Sequence, residues 1–140
     1  MTEIPNHNEL KVGDSLPPLS LPPVDRTTLA LFAGASGDHN PIHIDLDFAR
    51  KAGFVDVFAH GMLGMAWLGR LVTRWVPQSQ LRSFKVRFAG ITHLRNAITC
   101  TGRVVETLEH GGERCVRIEL RSANQFGEDK ILGEALVALA

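Results

Sequence analysis

The sequence predicts an α+β domain in which an antiparallel β-sheet curls around one buried helix. Two observations lead to this fold class. Helical segments come first and at least four strand-like segments follow, an order typical of an antiparallel sheet with its helices grouped together. The longest helical segment, His60 to Val76, is stopped by Pro77 and is apolar on most faces, so other structure has to surround it.

The chain begins with a tail and an extended arm. Residues 1–9 are polar and are predicted to form a flexible tail, which leaves 10–140 as one folded domain. The segment KVGDSLPPLSLPPV carries two proline pairs. Because proline cannot donate to a sheet ladder, this segment is expected to run as an extended edge or a wrapping arm.

Two shorter helices are predicted from their capping residues. Asp25 is a candidate N-cap for a helix in RTTLALFAGAS, after which Gly34 and Gly37 are expected to loosen the chain. Asp45 is a second candidate N-cap, for a short helix in LDFARKA that Gly53 would close.

Alternation of apolar and polar residues predicts the strands. In FKVRF and VRIEL every second residue is apolar, the pattern of a sheet that is wet on one face. AITCTGRVVE is expected to be a strand that precedes a turn at LEHGGE. The final segment, ILGEALVALA, is apolar at both parities, which predicts a strand covered on both faces.

Composition argues against several classes of function. Fifteen basic residues balance fifteen acidic ones, so no net charge would attract nucleic acid or an anionic membrane. No apolar run reaches the roughly 20 residues that a membrane span needs. The start, MTEIPNHNEL, lacks the apolar core of a signal peptide. We therefore expect a cytoplasmic protein without nucleic-acid or membrane partners.

Cys100 and Cys115 are the only cysteines, and each lies in a strand-like segment. A disulfide would be open to them if those strands pair. In a cytoplasmic protein two buried thiols are the favoured interpretation.

The stretch SGDHNPIHID, Ser36 to Asp45, gathers acidic and basic side chains around a proline. A carboxylate and an imidazole titrate in different pH ranges, so a pair such as Asp38 and His43 can hold an acid and a base together. Pro41 forces an extended conformation on the preceding residue, which would let the turn present both side chains toward one point. By spacing alone, a turn or capping role for Asp38 is the better interpretation.

Gly61 is a candidate oxyanion donor at the start of the long helix. The first N–H groups of a helix have no internal partner and lie at the positive end of its dipole. Since Gly61 has no side chain, a substrate carbonyl oxygen would reach its amide closely. An acid, a base and an oxyanion-binding amide are the parts needed to add or remove water next to a carbonyl.

Three segments carry a resemblance to a known family. SGDHNPIHID matches a Ser/Thr-Gly-Asp-x-Asn-Pro-x-His motif, with Phe32 where an aromatic residue usually precedes it. AHGML matches a second signature, and NQFGEDKILGEALV matches a late pattern. These segments resemble the MaoC-like, hydratase-type hotdog enzymes that act on acyl thioesters. The resemblance covers nearly the whole chain from KVGDSLP onward.

The resemblance implies a single hotdog domain that reversibly hydrates trans-2-enoyl thioesters to (3R)-3-hydroxyacyl thioesters. It implies a substrate carried on CoA or acyl carrier protein, and no cofactor. Asp38 and His43 would form the catalytic pair, and Gly61 would supply the oxyanion amide. Residues expected at the substrate are Ser36, Asn40, His60 and Met62, with Asn40 also holding the catalytic loop in shape. For His60 a structural role is favoured over a catalytic one.

Several alternatives stay open at this point. A metal site formed by neighbouring acidic and histidine residues is disfavoured, because no H-x-x-x-H pair lies on a helix face. In FAGITHLRNAIT the chain has His93 and Arg95 where many members carry other residues at the lip of the acyl pocket. This departure leaves the acyl preference open.

Two rival functions stay open, and an oligomer is expected. The rivals are a hotdog acyl thioesterase and a non-catalytic subunit paired with an active homologue; the intact Asp38 and His43 argue against the second. The protein is expected to be a homodimer, or a heterodimer with a related hotdog subunit, because a lone hotdog leaves its sheet edges open.

Overall fold

The computed structural model describes residues 9–139, so the tail predicted over residues 1–9 lies outside it except for Glu9. The helices and strands of the described part are, in chain order, β1 (Leu19–Ser20), α1 (Arg26–Ser36), α2 (Leu46–Lys51), α3 (Gly61–Thr73), β2 (Leu81–Phe88), β3 (Thr99–His110), β4 (Glu113–Ala123) and β5 (Asp129–Ala138). Short 3-10 turns at Pro41–His43 and Gln78–Gln80 complete the order.

The strands form one antiparallel sheet in the order β1-β3-β4-β5-β2. Register shifts interrupt the β2–β5, β3–β4 and β4–β5 pairings, and such bulges bend and twist a strand. The sheet packs on α3 through a continuous core that includes Leu68, Leu71, Val104, Ile118 and Val137. This arrangement confirms the predicted α+β class and the sheet curled around one helix.

The caps of α1 form as the local sequence predicts. The Asp25 side chain accepts a hydrogen bond from the Thr28 N–H at 2.7 Å, and Gly37 closes the helix with φ 77°. Glycine has no Cβ and adopts a positive φ without steric strain, which is why this residue ends the helix. Asp45 caps α2 in the same way as Asp25 caps α1. The expectation for Gly34 was wrong, because it stays helical within α1.

The long helix α3 differs from its prediction at the C-terminal end and on one face. It ends at Thr73 rather than at Val76, and Pro77 has no N–H that could bond the Thr73 carbonyl four residues earlier. Its apolar face is buried, but Met62 and Ala66 are exposed. Within the described chain, α3 is therefore covered by the sheet and not surrounded on all sides.

The proline-rich segment is an arm along the edge of β3. The Leu16 N–H donates to the Gly102 carbonyl and the Leu21 N–H donates to the Ile98 carbonyl, both at 2.9 Å. Between them, β1 pairs with the start of β3. A Cβ on Gly102 would lie only 3.3 Å from the Leu16 side chain, so glycine lets the arm approach closely. The predicted extended edge is confirmed.

The hairpin between β3 and β4 is tighter than the predicted turn. Its turn consists of Gly111 and Gly112, with φ 59° and 79°, and the strands extend to His110 and from Glu113. Two consecutive positive φ values are the requirement of a type I′ hairpin, which explains the glycine pair.

The last strand, β5, is covered on both faces in its C-terminal half, as predicted. Ala135 and Val137 belong to the main core against α3. Leu136 and Ala138 form a second buried cluster with Cys115 on the opposite face. That outer face also carries ion pairs, such as Arg117 with Glu106 and Glu134.

Both cysteines are free and buried, which confirms the interpretation as two thiols. Burial raises the pKa of the Cys100 thiol to about 11, so little thiolate is present at neutral pH. Because the thiolate is the reactive form, we expect a thiol-reactive dye to label neither Cys100 nor Cys115 in the native protein and both after denaturation. Labelling of the native chain within minutes would contradict this.

Candidate active site

The loop between α1 and α2 is held by three consecutive side-chain hydrogen bonds. The Ser36 Oγ accepts from the Asp38 N–H at 3.1 Å, and the Asp38 Oδ1 accepts from the Asn40 N–H at 3.2 Å. The Asn40 Oδ1 then accepts from the Ile42 N–H at 3.1 Å, at the start of the 3-10 turn. Short Asp, Asn and Ser side chains favour such local bonds, so the loop is ordered by its own sequence.

The 3-10 turn directs His43 into the interior. Its imidazole is 9% exposed, and its Nδ1 lies 2.8 Å from the carbonyl oxygen of Phe58. Since a carbonyl only accepts, Nδ1 carries the proton. In neutral His43 the lone pair is therefore on Nε2, which is the nitrogen that can take a proton from water.

His60 lies directly behind His43, at the start of α3. The two imidazoles stack with centroids 3.9 Å apart and planes inclined by 27°. The His60 Nε2 lies 3.1 Å from the Asp38 carbonyl oxygen, and Phe32 packs edge-on against the ring. Burial lowers the pKa of His60 and the neighbouring His43 adds to this, while the bond to the Asp38 carbonyl opposes it. His60 is consequently neutral at neutral pH.

These contacts bring one acid and two imidazoles together. The candidate ligand atoms of Asp38, His43 and His60 all lie within 4.8 Å of one another. Asp38 is exposed, whereas the two rings are buried. The predicted pair, Asp38 and His43, is thus brought together by the fold.

The same three residues are those that could hold a metal ion. A zinc ion needs lone pairs that converge on one point, at about 2.0–2.1 Å from each histidine nitrogen. The imidazoles of His43 and His60 are stacked with their planes inclined by 27°. Nδ1 of His43 and Nε2 of His60 bond backbone carbonyls, which leaves Nε2 of His43 and the buried Nδ1 of His60 as the nitrogens available to an ion. The preference against a metal site stays a prediction.

Gly61 is the first residue of α3, as the sequence predicts. His60, in the N-cap position, makes no side-chain capping bond. The Gly61 N–H has no hydrogen-bond acceptor within residues 9–139. An unpartnered amide at a helix N-terminus is well suited to receive an oxyanion.

This amide opens into an apolar cavity of about 400 Å³. The cavity is lined by the start of α3, by the end of β2 with the loop that follows it, and by Ile131 of β5. A Cβ on Gly64 would lie 2.8 Å from the Ile131 Cδ1, so this glycine allows the helix to approach β5. A Cβ on Gly69 would make only ordinary contacts, and close packing does not require glycine there.

The structure places the other predicted substrate residues as follows. The side-chain oxygens of Ser36 and Asn40 accept hydrogen bonds from backbone N–H groups of the loop between α1 and α2. His60 is among the residues that line the cavity although it is only 2% exposed, and Met62 is 57% exposed on the first turn of α3. Their contact with substrate stays a prediction.

The resemblance placed the segment FAGITHLRNAIT, residues 88–99, at the lip of the acyl pocket. Residues 88–92 of this segment line the cavity, whereas His93 and Arg95 do not. Instead, His93 pairs with Phe58 in an isolated bridge, and Arg95 takes φ 67° in the next turn.

Comparison with known proteins decides the family. The family model described as "MaoC like domain" matches residues 11–125. The chain belongs to this MaoC-like family. The match spans most of the chain and includes Asp38, His43 and Gly61, so it confirms the family to which the motifs pointed.

Individual MaoC-like proteins agree with this membership. The mitochondrial 3-hydroxyacyl-[acyl-carrier-protein] dehydratase of Arabidopsis thaliana is 27% identical over 93% of this chain and 78% of its own length. The R-hydratase PhaJ1 of Pseudomonas aeruginosa has a TM-score of 0.83 at 29% identity, covering 96% of this chain and 84% of that one. The fatty acid synthase beta subunit TOXC of Cochliobolus carbonum is 32% identical over 76% of this chain, which spans only 5% of that protein.

Proposed function

We propose that this MaoC-like chain reversibly adds water to trans-2-enoyl thioesters and forms (3R)-3-hydroxyacyl thioesters. The observation that carries the proposal is that candidate ligand atoms of Asp38 and His43 lie within 4.8 Å of each other, while His60, which stacks on His43, and Gly61 line an apolar cavity. The Gly61 N–H has no hydrogen-bond acceptor within residues 9–139. The likeness to an R-hydratase and to an acyl-carrier-protein dehydratase supports the hydro-lyase class.

In the proposed mechanism, the acyl group enters the apolar cavity and its thioester carbonyl oxygen accepts a hydrogen bond from the Gly61 N–H. His43 Nε2 and the Asp38 carboxylate hold a water molecule against Cβ. The pair takes one proton from the water as its oxygen bonds to Cβ, and the electron pair of the double bond moves toward the carbonyl oxygen.

The second half of the reaction returns the proton. The enolate that results is stabilised at Gly61, where charge develops in the transition state. Protonation of Cα by the same pair completes the net addition of water, and the reverse sequence is the dehydration. Because both side chains can carry a proton, the two transfers are assigned to the pair and not to one residue.

The assay that tests this function follows an enoyl thioester such as crotonyl-CoA. Hydration removes the absorbance of the conjugated double bond and leaves the thioester intact, so a thiol-reactive dye in the same cuvette stays colourless. Release of free thiol would instead favour the thioesterase, and no change of either signal with CoA and acyl-carrier-protein substrates would favour a non-catalytic subunit.

The proposed assembly is a dimer, either with a second copy or with a related hotdog subunit. Met62 and Phe88 are both more than half exposed near the mouth of the cavity, and β2 pairs only with β5 within the described chain. Exposed apolar side chains beside an open strand edge are typical of an interface.

We expect light scattering to give at least twice the monomer mass of 15.4 kDa at micromolar concentration. The substitution Phe88→Lys places a charge at the position of an exposed apolar side chain and is expected to lower this mass. A value near 15.4 kDa for the unmodified protein would contradict the assembly.

The cellular location of the protein is also part of the proposal. None of the helices within residues 9–139 has the length and hydropathy of a membrane span. The cytoplasmic location that the sequence suggests stays a prediction, since the Arabidopsis relative is named as mitochondrial.

A further inference from the structure

His60 contacts both Asp38 and His43 and is the residue before Gly61. Its Nε2–H donates to the Asp38 carbonyl at 3.1 Å, and its ring stacks on His43 at 3.9 Å. It also directly precedes Gly61, the first residue of α3. The imidazole of His60 therefore contacts both residues of the pair, and the residue itself is joined directly to the glycine that would supply the oxyanion amide.

The polar ring of His60 carries a cost that packing alone would not justify. The side chain is only 2% exposed, and its Nδ1 has no hydrogen-bond partner among the described residues. A buried acceptor without a donor destabilises the folded state. A phenyl ring would fill the same space against Phe32 without that penalty, so what imidazole adds is the Nε2–H donor.

That donor acts on the part of the site that is otherwise least restrained. Asp38 is exposed, and its other described bonds run only to Ser36 and Asn40 within the same loop. The bond from His60 is the one that ties Asp38 to α3, across a separation of 22 residues in the chain. His43, by contrast, is already fixed by the Phe58 carbonyl.

We propose that His60 is a positioning residue, which holds Asp38 at its working distance from His43 by donating to the Asp38 carbonyl while stacking on the His43 ring. This role rests on the proposed function. It assigns His60 no contact with the reacting atoms, because its donor is engaged by the protein and its other nitrogen is buried.

Two variants separate the hydrogen bond from the ring. His60→Phe keeps a ring for the stack and removes the donor. His60→Gln removes the ring and places an amide donor near the position of Nε2. Since a displacement of about 1 Å in a catalytic group can cost on the order of 100-fold in rate, we expect His60→Phe to lower kcat by about 10- to 100-fold. KM should stay within about 3-fold, because substrate binding does not use the lost donor.

Stability distinguishes positioning from a merely structural role. His60→Phe removes the orphaned Nδ1, so its melting temperature is expected to equal or exceed that of the wild type while kcat falls. His60→Gln should recover a substantial part of kcat relative to His60→Phe. Wild-type kcat in His60→Phe, or a His60→Gln enzyme no faster than His60→Phe, would overturn the proposal.

Amide hydrogen exchange supplies a readout that needs no turnover. Exchange over residues 36–43 should be faster in His60→Phe than in the wild type and should return toward wild type in His60→Gln. Unchanged exchange in His60→Phe would overturn the proposal even with an active enzyme. If the wild type shows no hydration, the proposed function fails, and this exchange comparison still decides whether His60 holds the loop.

Discussion

Asp38→Asn is expected to lower the turnover of enoyl-thioester hydration by about 100-fold or more, the usual scale for a positioned acid or base. The variant keeps the local structure, because an asparagine Oδ1 accepts the Asn40 N–H as the carboxylate oxygen does. Its carbonyl also still accepts from His60. What it loses is the capacity of the carboxylate to take and return a proton.

Substitution of His43 is expected to lower turnover as much as Asp38→Asn does. The choice of variant matters here, because the imidazole also holds a structural hydrogen bond. His43→Ala removes the donor to the Phe58 carbonyl, and leaving such a group without its partner costs about 1–3 kcal/mol. His43→Asn is the better-matched variant, since its amide can donate to Phe58 from near the position of Nδ1 and yet offers no base.

Initial rates at saturating substrate, with circular dichroism and melting curves on the same samples, check both residues. We expect Asp38→Asn and His43→Asn to melt within a few degrees of the wild type. Near-normal turnover in either variant would remove that residue from the catalytic pair.

Gly61→Pro is the second large expected effect. Proline is tolerated at the first position of a helix and lacks only the N–H that the oxyanion would use. The preceding residue, His60, already has φ −57° and ψ 135°, a conformation compatible with a following proline. Loss of one oxyanion donor typically costs about 2.7–4 kcal/mol of transition-state stabilisation, so we expect kcat to fall by about 100-fold or more.

The control for Gly61→Pro is Gly61→Ala, which keeps the donor. An added Cβ would lie 3.1 Å from the Phe88 ring, so both variants crowd the same neighbour. Because Phe88 is half exposed, its ring can shift by the few tenths of an ångström required. A Gly61→Pro enzyme as active as Gly61→Ala would show that the amide does not receive the oxyanion.

Local chemistry explains why much of the fold was predictable. Asp25 and Asp45 cap their helices, and Gly37 adopts the left-handed conformation, because each of these depends on residues within one turn. The strands were found by alternation, although their ends were not. The extension of β3 to His110 follows from the two-residue turn at Gly111 and Gly112, which lets His110 pair with Glu113, whereas the turn had been predicted over all of LEHGGE.

The motifs predicted which residues the fold brings together at the candidate site, but not the long-range contacts that hold their side chains. The motifs gave Asp38, His43 and Gly61, whereas the Phe58 carbonyl that fixes the His43 tautomer lies 15 residues away from it. Every residue carries a backbone carbonyl, so the identity of Phe58 gives no sign in the sequence that it accepts this hydrogen bond. The stack of His43 on His60 likewise depends on how the 3-10 turn meets the start of α3.

The configuration of the product decides whether the protein is an R-specific hydratase. Purified protein is incubated with crotonyl-CoA or a longer enoyl thioester, and the 3-hydroxyacyl product is resolved by chiral chromatography against R and S standards. The proposed function predicts the R alcohol, formed by the wild type and not detectably by Asp38→Asn in the same time. An S product, or one formed equally by that variant, would contradict it.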